Sequence, residues 1–281
     1  MAHQGGGTPT GYASRRIGAL FAFAAWLLTA CSVTRDATLD IATTTSVVNS
    51  GLLAALLPKY ASATVRVHAA GSGRALEMLA GGDVDLIITH APYAEARYLP
   101  QHSDWLYRKL ASNRFVIVGP NADPANVGQA ESAADAFRRI AHAEAPFISR
   151  GDESGTHERE RELWRAAGVT TPVLLTGGGG MAMTLRQADA KHAYTLTDEA
   201  TWWQLEQEVD LSVLLAGDAA LLNTYAVIAP RERRRAVDFA EWLSDGSGRD
   251  LIGVFQIAGR TAFAVWPQDC PRDMPARTPC P

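Results

Sequence analysis

From residue 39 onward, short apolar runs alternate with stretches whose apolar residues recur at helical spacing, and this alternation predicts strand and helix in turn. Leu39 to Thr43 reads as a first strand, Gly51 to Ala61 as a helix with Leu52, Leu53, Leu56 and Leu57 on one face, and Thr64 to Ala69 as a second strand. A helix from Arg74 to Ala80 opens behind Gly71-Ser72-Gly73. Val84 to Thr89 is nearly continuous in apolar residues, as expected of a strand buried on both faces. Asn113 to Gly119 is another strand. A second block repeats the alternation: helix Ala133 to Ala143, strand Phe147 to Ser149, helix Glu158 to Ala167, a short strand at Leu174-Leu175, helix Met181 to Asp189 and strand Ala193 to Leu196. Thr197-Asp198-Glu199 caps a further helix, Val213 to Leu215 and Tyr225 to Ala229 are strands, and Arg231 to Leu243 is a helix whose basic start reads as a solvated face. The pattern predicts an α/β fold with largely parallel sheets, in one domain or two.

The first thirty residues read as a targeting segment. Arg15 and Arg16 precede an apolar run from Ile17 to Leu28, which has the length of a signal-peptide core and is too short for a permanent span. Leu28-Thr29-Ala30-Cys31 then has the form of a lipobox, with Cys31 as the point of lipidation; an ordinary cleaved signal beside a chance cysteine is the alternative. The expected location is the extracytoplasmic side of the cell envelope, tethered to the membrane at Cys31. Loss of residues 1–30 removes two of the 26 basic residues and none of the 30 acidic ones, leaving a net charge of −6. That balance argues against a nucleic-acid partner, which needs clustered Lys and Arg, but not against a small anion held by local donors. Two cysteines remain, Cys270 and Cys280, in a Pro-rich tail. An even pair in an exported chain suggests a disulfide, with two free thiols as the alternative.

Three segments at strand-to-helix junctions carry candidate chemistry. Thr43-Thr44-Thr45-Ser46 offers four hydroxyls ahead of a helix, whose unpaired N–H groups and dipole favour an anion. N-capping alone accounts for one of the four. In Gly71-Ser72-Gly73-Arg74 the glycines let the backbone approach a ligand at a second helix start; no Gly-Lys-Ser/Thr follows, so this is not a Walker loop. Ser149-Arg150-Gly151-Asp152-Glu153-Ser154-Gly155-Thr156-His157 supplies a guanidinium fork, two hydroxyls and an accessible N–H, with Asp152 placed to orient Arg150. A surface ion pair beside a helix cap is the plainer reading of that segment. His90 and His157 read as structural hydrogen-bonding residues. The run Gly177 to Gly180 is either a close backbone approach or a flexible turn. No nucleophile elbow and no His/Cys cluster with metal-ligand spacing is present, so the expectation is a binding protein, not an enzyme, with no cofactor and no metal.

Taken in order, these segments resemble the tungstate-binding proteins of ABC transporters over nearly all of residues 38–265. The resemblance runs through Ala42 to Ser46, Ser50 to Leu53, Gly71 to Leu76, Asp83-Val84-Asp85, Thr89-His90-Ala91-Pro92, Phe115 to Pro120, Ser149 to Glu158 and Tyr194 to Asp198. It implies a two-lobed periplasmic-binding-protein-like fold of type II, two doubly wound, mainly parallel sheets with a ligand cleft between the lobes. On this reading residues 1–31 are the lipoprotein signal with its lipobox, 36–118 and 225–265 form lobe 1, 119–224 form lobe 2 and 266–281 a tail. The resemblance further implies that tungstate is held by Thr44, Thr45, Ser46, Ser72 and Gly73 from lobe 1 and by Arg150, Ser154, Gly155 and Thr156 from lobe 2. The implied partners are an ABC permease and ATPase. Molybdate is nearly the same size and shape as tungstate. Phosphate is a further alternative ligand, and a non-transport, anion-sensing lipoprotein is the alternative from another class.

Overall fold

The computed structural model describes residues 38–170 and 174–275. Cys31 and its lipobox, and Cys280, lie outside them. In chain order the first elements are β1 (Leu39–Thr43), α1 (Thr45–Asn49), α2 (Leu52–Leu56), β2 (Val65–Ala69), α3 (Ser72–Gly81), β3 (Leu86–Thr89), α4 (Pro92–Tyr98) and β4 (Trp105–Pro120). They continue with α5 (Ala133–His142), β5 (Phe147–Ser149), α6 (Gly155–Ala166), β6 (Leu174–Thr176), α7 (Met181–Ala190), β7 (Thr195–Asp198), α8 (Glu199–Leu205) and β8 (Leu211–Leu215). The last are β9 (Leu222–Pro230), α9 (Arg234–Ser244), α10 (Ser247–Val254) and three two-residue strands, β10 (Gln256–Ile257), β11 (Arg260–Thr261) and β12 (Ala264–Val265).

Strands β2, β1 and β3 pair in parallel, in that order, and β9 joins β3 antiparallel. Strands β5 and β6 are also parallel, and Phe147 bridges in parallel to Tyr194, just before β7. The long strand β4 links the two groups. Its first part, Trp105 to Arg114, runs antiparallel to β9, and from Phe115 onward it runs antiparallel to β7 and β8. The result is a two-lobed α/β fold whose parallel strands carry helices on both faces, with antiparallel strands joining the lobes.

Period-two alternation places neighbouring residues in different cores. In the first lobe Ile41, Leu86 and Ile88 pack under α1, α2, α9 and α10, whereas Ala42 and Ile87 face α3 with Leu76 and Leu79. In the second, Phe115 and Ile117 face α5 and α6, whereas Val116 and Val118 face α7 and α8. Phe137, Phe147 and Trp164 meet there with ring centroids 4.5–5.3 Å apart, and burial of each such ring contributes roughly 1.5–3 kcal/mol.

Some elements depart from the sequence pattern. The helix expected over 51–61 is α2 followed by a 3-10 turn over Leu57–Lys59 that contains Pro58, and Gly51 (φ +79°) separates it from α1, a further turn the pattern does not predict. Strand β4 begins eight residues before Asn113; Lys109, in its middle, is buried with its ammonium 4.1 Å from the Trp266 ring centroid. Helices α4 and α10 were not expected from the pattern.

Candidate functional site

The Thr-rich turn after β1 divides its hydroxyls between structure and site. Thr43 Oγ1 donates to the Ile88 carbonyl at 2.9 Å and ties β1 to β3. Thr44 N-caps α1, its Oγ1 accepting from Val47 N at 3.4 Å and lying 3.0 Å from Ser46 Oγ. A capping oxygen acts as acceptor, so its hydroxyl hydrogen is still able to donate. Thr44 is buried, and Thr45 and Ser46 are half-buried. At the start of α3, Gly71 occupies the cap position without a side chain to fill it. Ser72 follows, fully buried, and its Oγ has no hydrogen-bond partner in the protein.

The third junction, between β5 and α6, holds Arg150. Its side chain is 3% exposed and one amino group donates to Asp152 Oδ2 at 2.6 Å. The other terminal nitrogen lies 3.6 Å from Met181 Sδ, a weak acceptor. Asp152 Oδ1 accepts from Ser154 N at 3.2 Å, so both carboxylate oxygens are engaged. Burial alone would raise the Asp152 carboxyl; the Arg150 charge and these hydrogen bonds bring it below its ordinary value. Ser154 N-caps α6 by accepting from His157 N at 3.3 Å, and Ser154, Gly155 and Thr156 are all buried. Glu153, within this loop, holds a left-handed φ of +56°, a conformation that non-glycine residues adopt sparingly and that clusters at binding sites.

The three junctions meet. A methyl group on Gly71 would lie 3.1 Å from the Asp152 carbonyl oxygen, and one on Gly73 3.8 Å from that of Glu153. Gly155 packs on His90, whose Nδ1 would be 2.5 Å from an added methyl. Gly180 (φ +89°) opens α7 within van der Waals reach of Thr45, a methyl there lying 3.6 Å from Thr45 Oγ1. Contacts at Gly71, Gly73, Gly155 and Thr45 thus bring the three junctions together along one seam, and the third of them carries the buried Arg150 guanidinium. Such a seam gathers neutral donors, dipole and fixed positive charge around an anion.

Four residues outside the expected set belong to the same neighbourhood. His90 is buried; its Nδ1 lies 3.0 Å from Asn223 Oδ1 and its ring stacks on Tyr225 at 5.1 Å. Asn223 spends its amide N–H groups on Asn113 Oδ1 and Tyr225 OH, both at 2.8 Å, which leaves Oδ1 to accept from His90. Burial depresses the imidazole to about 4, the Asn223 hydrogen bond opposing and the Arg150 charge adding, so His90 is neutral. Its Nε2 is buried without a partner in the protein. Asp198 N-caps α8 with both oxygens on Thr201, at 2.9 and 2.8 Å, and burial raises its carboxyl against the pull of Arg150. Glu160 accepts from Arg150 N at 3.2 Å, and burial lifts it to about 7. Glu158 is bound to the backbone of α4. Burial gives the first three their roles and tertiary contact gives Glu158 its own; Glu160 and Glu158 lie in a charged run that carries no signal of either. Among the described residues no group of His, Cys, Asp or Glu is set to hold a metal, and no helix is long and apolar enough to cross a membrane.

Comparison with known proteins gives four findings of one kind. A PBP superfamily domain model matches residues 32–246. A Haloferax volcanii protein with the provisional name of ABC transporter anion-binding protein is 38% identical over 242 residues, covering 80% of this chain and 71% of its own length. The tungstate-binding protein TupA of Peptoclostridium acidaminophilum is 34% identical over 230 residues, covering 76% of this chain and 80% of its own. Among solved structures, the tungstate-binding protein TupA of Desulfovibrio alaskensis G20 is 34% identical with a TM-score of 0.68, covering 81% of this chain and 98% of that one.

Proposed function

We propose a function from one premise: the chain belongs to the PBP superfamily and, within it, to the TupA-like substrate-binding proteins of ABC transporters. It is the extracytoplasmic binding component of an ABC importer. Its ligand is tungstate, taken up between the lobes and passed to a permease driven by an ATPase. Cys31 is lipidated and holds the protein at the membrane. Residues 36–118 and 225–265 act as one lobe, 119–224 as the other, and 266–281 as a tail. The ligand set is Thr44, Thr45, Ser46, Ser72 and Gly73 with Arg150, Ser154, Gly155 and Thr156. The protein carries out no catalysis.

The observation that supports this reading is the buried Arg150, held by Asp152 on one side and by no more than a thioether on the other, together with the buried, unpartnered Ser72 hydroxyl at the start of α3. A dianion entering the seam loses hydration, and a desolvated guanidinium with converging N–H and O–H donors offsets that loss. A fully deprotonated anion fits this donor set better than phosphate, which carries a proton near neutral pH and needs an acceptor. Each oxygen of Asp152 already accepts one hydrogen bond, from Arg150 or from Ser154, and each of Asp198 one from Thr201, so neither carboxylate offers phosphate an oxygen without a partner. Molybdate, with the same shape and charge, occupies the same site.

Calorimetric titration of the protein with tungstate, molybdate, sulfate and phosphate tests the reading. Tungstate is expected to bind more tightly than phosphate or sulfate by about a hundredfold or more, which is roughly 2.7 kcal/mol. Phosphate binding equal to or tighter than tungstate, or no tungstate binding, would overturn it.

A further inference from the structure

A helix whose first residue is proline still has N–H groups to satisfy at its start, and from its own sequence α4 satisfies only that of its cap residue, Ala91 N donating to Glu95 Oε1 at 3.0 Å. Its cap residue is Ala91, which has no side-chain acceptor, and Pro92 has no N–H. The next two amides are satisfied from far along the chain. Tyr93 N donates to Glu158 Oε1 at 3.0 Å and Ala94 N to Glu158 Oε2 at 2.9 Å. Glu158 lies in the first turn of α6, two residues after Thr156 and four after Ser154. Helix α4 follows β3 and packs in the first lobe's core through Ala94 and Tyr98, while α6 packs in the second through Leu163 and Trp164. One carboxylate thus spans the seam, and it rides on the same helical turn that presents Ser154, Gly155 and Thr156.

We infer that Glu158 is a positioning residue for the anion site: a carboxylate latch that holds the α6 donor turn against the first lobe by capping α4. The inference rests on the binding function proposed above. Separation of the lobes must break both hydrogen bonds at once, return the carboxylate to water and leave two helix-terminal amides to be rehydrated. Both partners sit at the edge of a groove of about 400 Å³ between α3, α4 and α6, so water reaches them as the seam parts. Because Glu158 acts after the lobes have met, the latch slows release and leaves capture unchanged. Its two oxygens accept from two adjacent amides, a geometry that an amide side chain reproduces only by half.

The test uses the full-length protein and tungstate as probe, with uptake and release of radiolabelled tungstate followed by rapid filtration. Glu158→Ala is expected to release tungstate about tenfold faster, with the association rate within about twofold of wild type. Glu158→Gln is expected to fall between the two, since its amide oxygen still accepts one of the bonds. A purely structural role would lower the folded fraction and would not separate the two rates in this way. Amide hydrogen exchange over 92–95, without ligand, provides a second readout: Glu158→Ala should lose protection at Tyr93 and Ala94. Release within twofold of wild type in Glu158→Ala, or unchanged protection at those amides, would overturn the latch. If wild type takes up no tungstate, the proposed ligand fails, and the exchange experiment still decides the latch.

Discussion

Gly155 and His90 touch backbone to side chain across the seam between the lobes, so closely that a methyl group on Gly155 would lie 2.5 Å from His90 Nδ1 and closer still to the His90 carbonyl oxygen. Gly155 begins α6, and His90 follows β3. His90 is fixed in turn by Asn223 and by stacking on Tyr225. Neither side has room to give way without moving backbone.

That contact makes Gly155→Ala a test of whether the lobes must meet this closely to bind. Overpacking of a tight contact costs about 1–3 kcal/mol. Parting the lobes relieves it, so the cost falls on binding and leaves folding largely intact. Tungstate affinity is expected to fall by about tenfold or more, with the melting temperature little changed. Unchanged affinity in titration would show that the seam is not the binding-competent arrangement.

Glu160 and His90 give opposite pH dependences. The Glu160 carboxyl, lifted to about 7 by burial, favours folding in its protonated form; its contribution is complete below its ordinary value of 4.5 and is lost as pH rises through 7. His90, depressed to about 4, favours folding when neutral; its contribution is complete above 6.5 and is lost as pH falls through 4. Glu160→Gln keeps an acceptor for Arg150 N and removes the first titration. It should match wild-type stability near pH 4.5 and exceed it at pH 8 by on the order of 1–3 kcal/mol. Denaturant unfolding at the two pH values measures the difference. A variant less stable than wild type at pH 8 would contradict the buried, proton-bearing carboxyl.

Cys270 is buried and disulfide-bonded, at the end of a tail that folds back on the first lobe through Lys109 N to the Arg272 carbonyl at 2.7 Å and Trp266 Nε1 to that of Pro271 at 3.2 Å. On the proposal that Cys31 is lipidated, the expected partner is Cys280. Intact-mass analysis after alkylation should find Cys270 and Cys280 blocked until reductant is added. Two alkylated thiols without reductant would exclude the pairing.

Lipidation is read from sequence alone and has its own test. Cys31→Ala should move the protein from the membrane fraction to the soluble one and abolish palmitate labelling, while tungstate binding stays within about twofold of wild type. Label retained in the variant would exclude Cys31 as the attachment point.

Much of the fold follows from local pattern. β1 and β5 match the residues read from the sequence, because each is a short apolar run between turn residues and is buried on both faces. α4 was not legible: its seven residues include Glu95 and Arg97, and its N-terminus is completed by Glu158, 64 and 65 residues away. The first half of β4 was hidden by Arg108 and Lys109, charged residues that β-pairing and Trp266 accommodate. At the site, glycine- and hydroxyl-rich junctions were legible because local chemistry marks them. His90 and Glu160 were not, because their roles come from burial, which a side chain's position in the sequence does not reveal. Thr43 resembles its neighbours in sequence, yet its hydroxyl is committed to Ile88.

Titration of Arg150→Ala with tungstate tests most directly whether Arg150 binds the anion. Removing one partner of a buried, hydrogen-bonded charge pair costs about 3–5 kcal/mol, or roughly a hundred- to several-thousandfold in affinity. Arg150→Lys should recover only part of the loss, because a point charge cannot reproduce the planar fork. The domain should remain folded, as Asp152, which loses its partner, is 38% exposed and can turn to water. Tungstate affinity reduced by about a hundredfold or more in Arg150→Ala is the expected result; affinity within about threefold of wild type, well under 1 kcal/mol, would contradict the site.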